Sequence, residues 1–423
     1  MRLTAFQSDK GDCLLLTDNS GTRRILVDGG MPASYKAHVA AAMGKLGAAK
    51  AALDVVYISH IDRDHIGGVL TMLDDEADWR VHEFQRKNKN TKSRPPAVAR
   101  PPSIKEIWQN AFHAQLKDNA RPVEDALASV APMLSGSDLA NIRDEGLKQS
   151  NLITSIAEAI QVSRRISPRQ LNIPLNPRSN GKLMMLRKDQ KPIKIGDLRI
   201  TITGPTARQL TDLQGEWNTW LRSAEGKARL KKLEDAARRA EEALGASEFD
   251  SLMSSLRLRA ESFGDPKAVT VPNLASLTLL VEDRSTSLLL TGDARGDQIV
   301  DGLKSAGRLN GGTFEVDVLK VPHHGSKNNI DSDFVETIIA RDYVFCGNGL
   351  HHNPHLEVIG MMFRRRLAAS QKPFRFWFNS SKEVSVEPGH MAVVETLVKK
   401  LAKTSKGRFT FEFLTKGSTI KIL

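Results

Sequence analysis

An apolar run, Leu53-Asp54-Val55-Val56-Tyr57-Ile58-Ser59, ends directly in His60-Ile61-Asp62-Arg63-Asp64-His65 and then in Ile66-Gly67-Gly68. No other feature of the 423 residues constrains the fold as tightly. The run has the composition of a buried strand, and it delivers four imidazole or carboxylate side chains within six residues. Polar chemistry at the carboxyl end of a buried strand is where α/β folds commonly place sites. Imidazole and carboxylate together suit divalent transition metals, and a tight turn can direct alternate side chains to two ions.

Three further segments share this form. Leu288-Leu289-Leu290-Thr291-Gly292-Asp293 ends an apolar strand in an aspartate, which is costly to bury without a partner. A metal pair would supply that partner, with Asp293 bridging. Leu319-Lys320-Val321-Pro322-His323-His324-Gly325-Ser326-Lys327 offers adjacent histidines, one as ligand and one as proton donor or phosphate contact. Gly347-Asn348-Gly349-Leu350-His351-His352-Asn353-Pro354-His355 is a third loop after a strand. Seven of the eleven histidines (60, 65, 323, 324, 351, 352 and 355) fall in these loops, and that clustering is the main reason to expect a metal centre.

The chain is β-rich at both ends and helical in the middle. Strands are expected at Arg2–Phe6, Asp12–Thr17, Arg23–Asp28, Asp197–Thr203, Ala275–Glu282, Ser285–Leu290, Glu315–Val321, Tyr343–Cys346, Phe374–Asn379, Arg408–Leu414 and Ser418–Ile422. Helices are expected at Ala33–Leu46, Pro122–Leu134, Ser137–Lys148, Asn151–Arg165, within Gln209–Ser262 and at Met391–Ala402. One β/α core, residues 1–75 and 270–423, fits this better than separate domains. Residues 76–269 then form a basic, mainly helical insertion with one core-like strand near 197–203. Two cysteines cannot make a disulfide framework. No apolar stretch approaches the roughly 18 residues of a membrane span, so a cytoplasmic protein without membrane contact is expected.

Lys plus Arg is 61 against 49 Asp plus Glu, a net charge of +12. The window Gln85–Lys105 holds seven basic residues, no acidic one and four prolines, and reads as an extended loop. Arg164–Arg199 adds ten more basic residues against Asp189 and Asp197. Such a surplus favours polyanionic partners, because phosphate neutralisation releases counterions. Arg86, Lys87, Lys89 and Lys92 are the expected nucleic-acid contacts.

Taken together, these residues resemble the metallo-β-lactamase superfamily and, within it, the ComEC-like metallo-hydrolase branch. His60-x-Asp62-x-Asp64-His65 matches the His-x-Asp-x-Asp-His variant of that branch. Gly11-Asp12, Val27-Asp28-Gly29-Gly30, Asn273-x-x-Ser276, Thr291-Gly292-Asp293 and His323-His324-Gly325-Ser326 match in order. The resemblance covers residues 1–75 and 270–360 and implies an αββα sandwich with metal loops along one edge. It implies His60, Asp62, Asp64, His65, Asp293 and one of His323 and His324 (His324 is the one carried forward) as the metal ligands. The superfamily's further histidine before the bridging aspartate has no clear counterpart, since only His82 and His113 lie in the interval. One or two divalent ions, zinc or manganese, are therefore expected.

The implied activity is hydrolysis by a metal-activated hydroxide, with Asp64 orienting the nucleophile and His323 or His324 protonating the leaving oxygen. Ser326, Lys327, His352 and Asn273 are the expected substrate contacts. Nucleic-acid phosphodiesters are the leading substrate. A small ester, lactone or phosphoester is the alternative, and a non-catalytic metal-binding regulator is a second. Salt-sensitive DNA binding separates the first two, and metal-dependent turnover separates both from the third.

Overall fold

The structure, a computed structural model, describes residues 1–111, 115, 158–224, 227, 231 and 275–423. Short apolar segments broken by turn residues form an antiparallel meander of β1 (Arg2–Phe6), β2 (Leu14–Thr17) and β3 (Arg24–Val27). After α1 (Ala40–Ala48), the expected strand is split at Asp54 into β4 (Ala52–Leu53) and β5 (Val55–Tyr57). The Asp54 carboxylate accepts the Arg24 amide and pairs with Arg23 and Lys105, which explains a charge in an apolar run. The long helix α2 (Arg63–Lys87) leads to β6 (Ser103–Ile104), paired with β4, and to β7 (Ile107–Trp108), parallel to β5. The last strand, β16 (Thr419–Lys421), pairs with β1 and completes a six-stranded sheet ordered β16-β1-β2-β3-β5-β7.

The second sheet has eight strands. β8 (Ile193–Ile195), β9 (Leu198–Gly204), β10 (Thr278–Glu282) and β11 (Ser287–Leu290) are antiparallel neighbours. β12 (Phe314–Lys320), β13 (Ile338–Phe345), β14 (Phe374–Phe378) and β15 (Phe409–Phe413) continue it in parallel. Parallel neighbours need crossovers. Beyond α3 (Ala207–Arg222), the helices α4 (Gly296–Ser305), α5 (Ser332–Thr337), α6 (Leu356–Ala369) and α7 (Pro388–Thr404) supply them.

Alternation along the strands sorts the core into three layers. Leu16, Val27, Val55 and Tyr57 of one sheet meet Ile200, Leu279, Val281 and Val318 of the other. The opposite face of the first sheet, with Leu26 and Val56, is covered by Val39, Met43, Ile66, Val69 and Leu73. The opposite face of the second, with Leu280, Leu319 and Phe376, is covered by Leu303, Phe334, Val358, Met391 and Val398. The fold is an αββα sandwich.

Two expectations are corrected. Residues 76–269 contribute the rest of α2 and three core strands, β7, β8 and β9, rather than one. Arg86 and Lys87, expected in an extended loop, form the last turn of α2, because the helix-forming pattern continues to Lys87 before the first proline of the window. Helix is present at 158–166 and in α3. The expected helices at Pro122–Leu134 and Ser137–Lys148, the first half of that at Asn151–Arg165 and most of that at Gln209–Ser262 lie outside the described residues.

Midway along α2, partial burial and then Asp74 and Asp78 push the Asp75 carboxyl up to about 6, from 3.8. Stability tied to this group is whole below about pH 4 and falls as pH rises through about 6, because the unfolded chain ionises first. Discounted for its half-exposed position, Asp75→Asn should gain about 1 kcal/mol at pH 7 and nothing near about pH 3.5. Denaturant titration at the two pH values checks this, and an equal gain at both would contradict it.

Candidate metal centre

The side chains of the centre come from strand ends and the turns just after them. Asp28 follows β3 with a left-handed backbone (φ 56°). Its Oδ1 accepts the Ser59 amide and its Oδ2 the Ser59 hydroxyl, both at 2.7 Å, which ties the end of β3 to the end of β5. Asp62 is the N-cap of α2, and its carbonyl accepts the His65 and Ile66 amides at 2.8 and 2.9 Å. Its carboxylate makes no capping bond, unlike most N-cap aspartates, and lies 3.6 Å from His60 Nε2. The first turns of α2 press on the turn after β3. The Gly68 amide donates to Gly30 at 2.9 Å, and a Cβ on Gly68 would collide with the Gly29 carbonyl.

Four rings and two carboxylates, those of Asp62 and Asp64, gather around Asp293, in the turn after β11. His60 Nε2 lies 3.6 Å from Asp293 Oδ2, His65 Nε2 3.4 Å from Oδ1, and His324 Nε2 3.4 Å from Oδ2. His324 Nε2 is also 3.4 Å from Asp64 Oδ2, and His323 Nε2 is 3.7 Å from Asp293 Oδ2. The Nε2 atoms of His60, His65 and His324 and Asp293 Oδ1 are buried without a hydrogen-bond partner among the described residues. Buried polar atoms are otherwise almost always satisfied. Ligand bonds of about 2.0–2.2 Å at tetrahedral angles place donor atoms about 3.3–3.6 Å apart. The spacing is that of donors sharing a cation, and the residues fit divalent metal. His60 and Asp62 form one donor group and Asp64, His65 and His324 another, with Asp293 common to both.

The opposite ring nitrogens are held from behind. His60 Nδ1 meets Ser59 Oγ at 3.0 Å, His65 Nδ1 meets Asp28 Oδ2 at 2.9 Å, and His324 Nδ1 faces Asp12 Oδ1 at 3.3 Å. Such partners orient metal-binding imidazoles. Asp12, His65, Asp293 and His324 bring donor atoms within 4.8 Å of one another. Asp12, however, stands on the Nδ1 side of both rings and is ion-paired with Lys320. We therefore place it in the orienting layer and Asp64 among the ligands. Lys320 is buried at the end of β12 and also donates to the Gly292 carbonyl at 3.1 Å. Sequence reasoning gave no role to Asp28, Asp12 or Lys320, although Gly11-Asp12 and Val27-Asp28-Gly29-Gly30 stood among the elements that carry the resemblance.

His323 and His324 both have left-handed backbones (φ 45° and 55°), uncommon outside glycine and concentrated at functional sites. The Asn329 amide nitrogen donates to the Asp293 carbonyl at 2.9 Å, so its oxygen is the atom 2.7 Å from His323 Nδ1. That nitrogen must carry the proton, and Nε2 keeps its lone pair toward the centre.

Burial would raise the Asp64 carboxyl, but Lys10, His324 and His65 overrule it and hold it well below the usual range. The Asp293 carboxyl is likewise held well below its usual range against burial by His324, His323, His65 and His60. Burial would lower His65 and His324. Asp293, with Asp28 and Asp12 at His65 and with Asp12 and Asp64 at His324, instead raises both well above the ordinary imidazole value.

Other expected residues have different partners. Ser326 Oγ accepts the Asn328 amide within its own turn, and exposed Lys327 lies 3.4 Å from Glu357. The exposed His352 ring lies against His390, and His355 bonds Asn353. These are corrections: neighbours in sequence to the His323-His324 pair or in a similar loop are turned elsewhere. Asn273 lies outside the described residues, although nearby Ser276 accepts the Asp293 amide at 3.2 Å. Arg86, Lys87, Lys89 and Lys92 are exposed and make no ion pair among the described residues. From Asp64 to Arg86 the helix rises about 33 Å at about 1.5 Å per residue. The pairing of β6 with β4 sets this basic segment near the amino ends of the strands, opposite the centre.

Two outcomes follow from the centre's charge. With His65 and His324 raised, the metal-free protein draws stability from their protonation below about pH 6.5 and loses it as pH rises through the raised values. The melting temperature of chelated protein should fall as pH rises above about 6.5, and added zinc or manganese should remove the fall. A chelated protein with a flat profile would contradict this. Asp28→Asn leaves every ligand in place and should weaken metal binding about 10- to 100-fold in competition with a chelating dye. Wild-type affinity in that variant would remove Asp28 from the orienting layer.

Comparison with known proteins agrees with this geometry. Residues 9–109 match the family model of the Metallo-beta-lactamase superfamily. ComE operon protein 3 of Bacillus subtilis (strain 168) is 30% identical over 99 residues, 22% of this chain and 12% of that protein's length. Among solved structures, the metallo-beta-lactamase fold protein YhfI from Bacillus subtilis aligns over 100% of both chains at 10% identity and a TM-score of 0.34. The His-x-Asp-x-Asp-His motif lies inside the matched segment: over residues 9–109 the chain is similar to the metallo-β-lactamase superfamily, and its αββα sandwich is the fold that the resemblance implies.

Proposed function

We propose that this protein is a metal-dependent phosphodiesterase that acts on nucleic acid. The observation that carries the reading is the set of unsatisfied buried donor atoms on His60, His65, His324 and Asp293, all directed at one space. Divalent cations bound there would lower the pKa of water and polarise a phosphoryl oxygen. Two ions suit the two donor groups better than one, and Asp62 makes the first group rich in oxygen, which favours manganese there over zinc.

The chain's own residues do the rest. Asp64, kept ionised, orients the attacking water. His323 is 27% exposed at the side chain and presents an unprotonated Nε2. Burial, the largest cause, and the neighbouring His324 lower its pKa against the pull of Asp293, so it is neutral near pH 7. It is the side chain set to take a proton from water and return it to the leaving oxygen.

The net charge of +12 and the free basic cluster at the end of α2 support nucleic acid as substrate. A duplex would need about ten base pairs, at about 3.4 Å each, to reach from the centre to Arg86. That separation favours a second reading, hydrolysis of a small ester, lactone or phosphoester, in which the cluster takes no part. Replacing Arg86, Lys87, Lys89 and Lys92 together by Gln should weaken binding of a 30-base-pair duplex about tenfold or more and flatten its salt dependence. Metal-dependent hydrolysis of bis(p-nitrophenyl) phosphate should stay at the wild-type rate. Unchanged duplex affinity, with turnover of lactones or esters only, would favour the second reading.

A further inference from the structure

We propose that Lys10 is the anion-selecting residue of this centre: its ammonium binds the substrate phosphate at the mouth, beside Asp64. The proposal deepens the phosphodiesterase reading and rests on it for the substrate.

Four basic side chains stand in the centre or next in sequence to its ligand-bearing turns, and three are engaged by acidic side chains. Lys320 is buried against Asp12. Arg63 is itself buried, with Nε 3.5 Å from the Glu158 carboxyl, which burial, helped by Asp64, pushes up to about 8 against the pull of Arg63. Lys327 lies 3.4 Å from Glu357 on the surface. Half-buried Lys10 has no carboxylate within ion-pair distance among the described residues. An ammonium so placed is available to an incoming anion.

The loop that carries Lys10 is fixed at both ends. The Asn379 side-chain amide donates to Ser8 Oγ at 2.8 Å, and Ser8 Oγ donates to the Gly11 carbonyl at 2.6 Å. The Asn348 side-chain amide donates to Asp9 Oδ1 at 2.7 Å, where Asp9 holds a left-handed backbone (φ 63°). The Asp12 amide donates to the Asp64 carbonyl at 3.2 Å. Gly11 packs so closely that a Cβ there would strike the Asp64 backbone. Lys10 is therefore one residue from a rigid contact with a metal-ligand residue, and its charge is the leading influence that opposes burial at the Asp64 carboxyl. A fixed loop loses little entropy when its lysine takes a ligand.

The Lys10 site differs in kind from the distant α2 cluster. It touches the reacting group of any phosphoester, whatever its length.

The test uses metal-loaded wild type, Lys10→Gln and Lys10→Arg. Inorganic phosphate binding is measured by calorimetry, with steady-state kinetics on bis(p-nitrophenyl) phosphate and on neutral p-nitrophenyl acetate. Loss of one charge-assisted contact should weaken phosphate binding about tenfold in Lys10→Gln and raise KM for the diester about tenfold, with a smaller change in kcat. The loss on the diester should exceed that on the neutral ester by about the same factor, and Lys10→Arg should recover most of it. Metal content should match wild type in both variants. Wild-type phosphate affinity in Lys10→Gln, or an equal loss on the two substrates, would overturn the proposal. If wild type turns over only the neutral ester, the phosphodiesterase reading fails, and the phosphate titration still decides the role of Lys10.

Discussion

Negative charge concentrated at one end of an apolar sandwich is the constraint on which the rest depends. Asp12, Asp28 and Asp293 are buried, and Asp62 and Asp64 stand beside them at the start of α2. Lys320 is the buried ammonium among them. Burying unpaired ions costs several kcal/mol each, so five carboxylates against one ammonium call for further positive charge. With neutral imidazoles the balance is four negative charges, which two dications neutralise. Protons on His65 and His324 are the substitute, which is why both rings are drawn toward the imidazolium form. Metal and proton thus compete for the same atoms.

The fold makes this concentration possible by bringing strand ends together. β3, β5, β11 and β12 deliver Asp28, His60, Asp293 and the His323-His324 turn to one edge, and the β1–β2 loop brings Asp12 over it. The orienting hydrogen bonds link these loops to one another: Asp28 joins Ser59 and His65, and Asn329 joins His323 to Asp293. Consecutive left-handed residues at His323 and His324 are held in place by the same contacts. A site built this way is positioned by the sheets and held open by its own charge.

The side chains that converge on Asp293 were legible in the sequence and the layer behind them was not. His60, Asp62, Asp64, His65, Asp293 and His324 combine the right side chains with a place just after an apolar strand, and the structure brings them together. Asp28 has the same placement and Asp12 lies just before β2, but a lone aspartate beside a strand reads as a turn residue until its partner is seen across the sheet. Lys320 reads as the end of a strand, since only pairing with Asp12 explains a buried lysine there. Proximity along the chain misled in two places. The basic run beginning at Arg86 follows the first motif closely in sequence, yet a continuous helix carries it to the far edge. Ser326 and Lys327 follow the histidine pair and turn away from it.

The αββα architecture was legible because alternation and apolar runs set the strands at both ends of the chain. The extent of the middle segment was not, because β7 and β8 are only two and three residues long and their pairing is with distant strands. The most direct measurement of the central claim is anomalous diffraction from crystals of the zinc- or manganese-loaded protein. The account predicts strong peaks bounded by His60, Asp62, Asp64, His65, Asp293 and His324, with Asp12 and Asp28 outside bonding distance. Peaks bound elsewhere, or a loaded crystal with no peak beside Asp293, would contradict it.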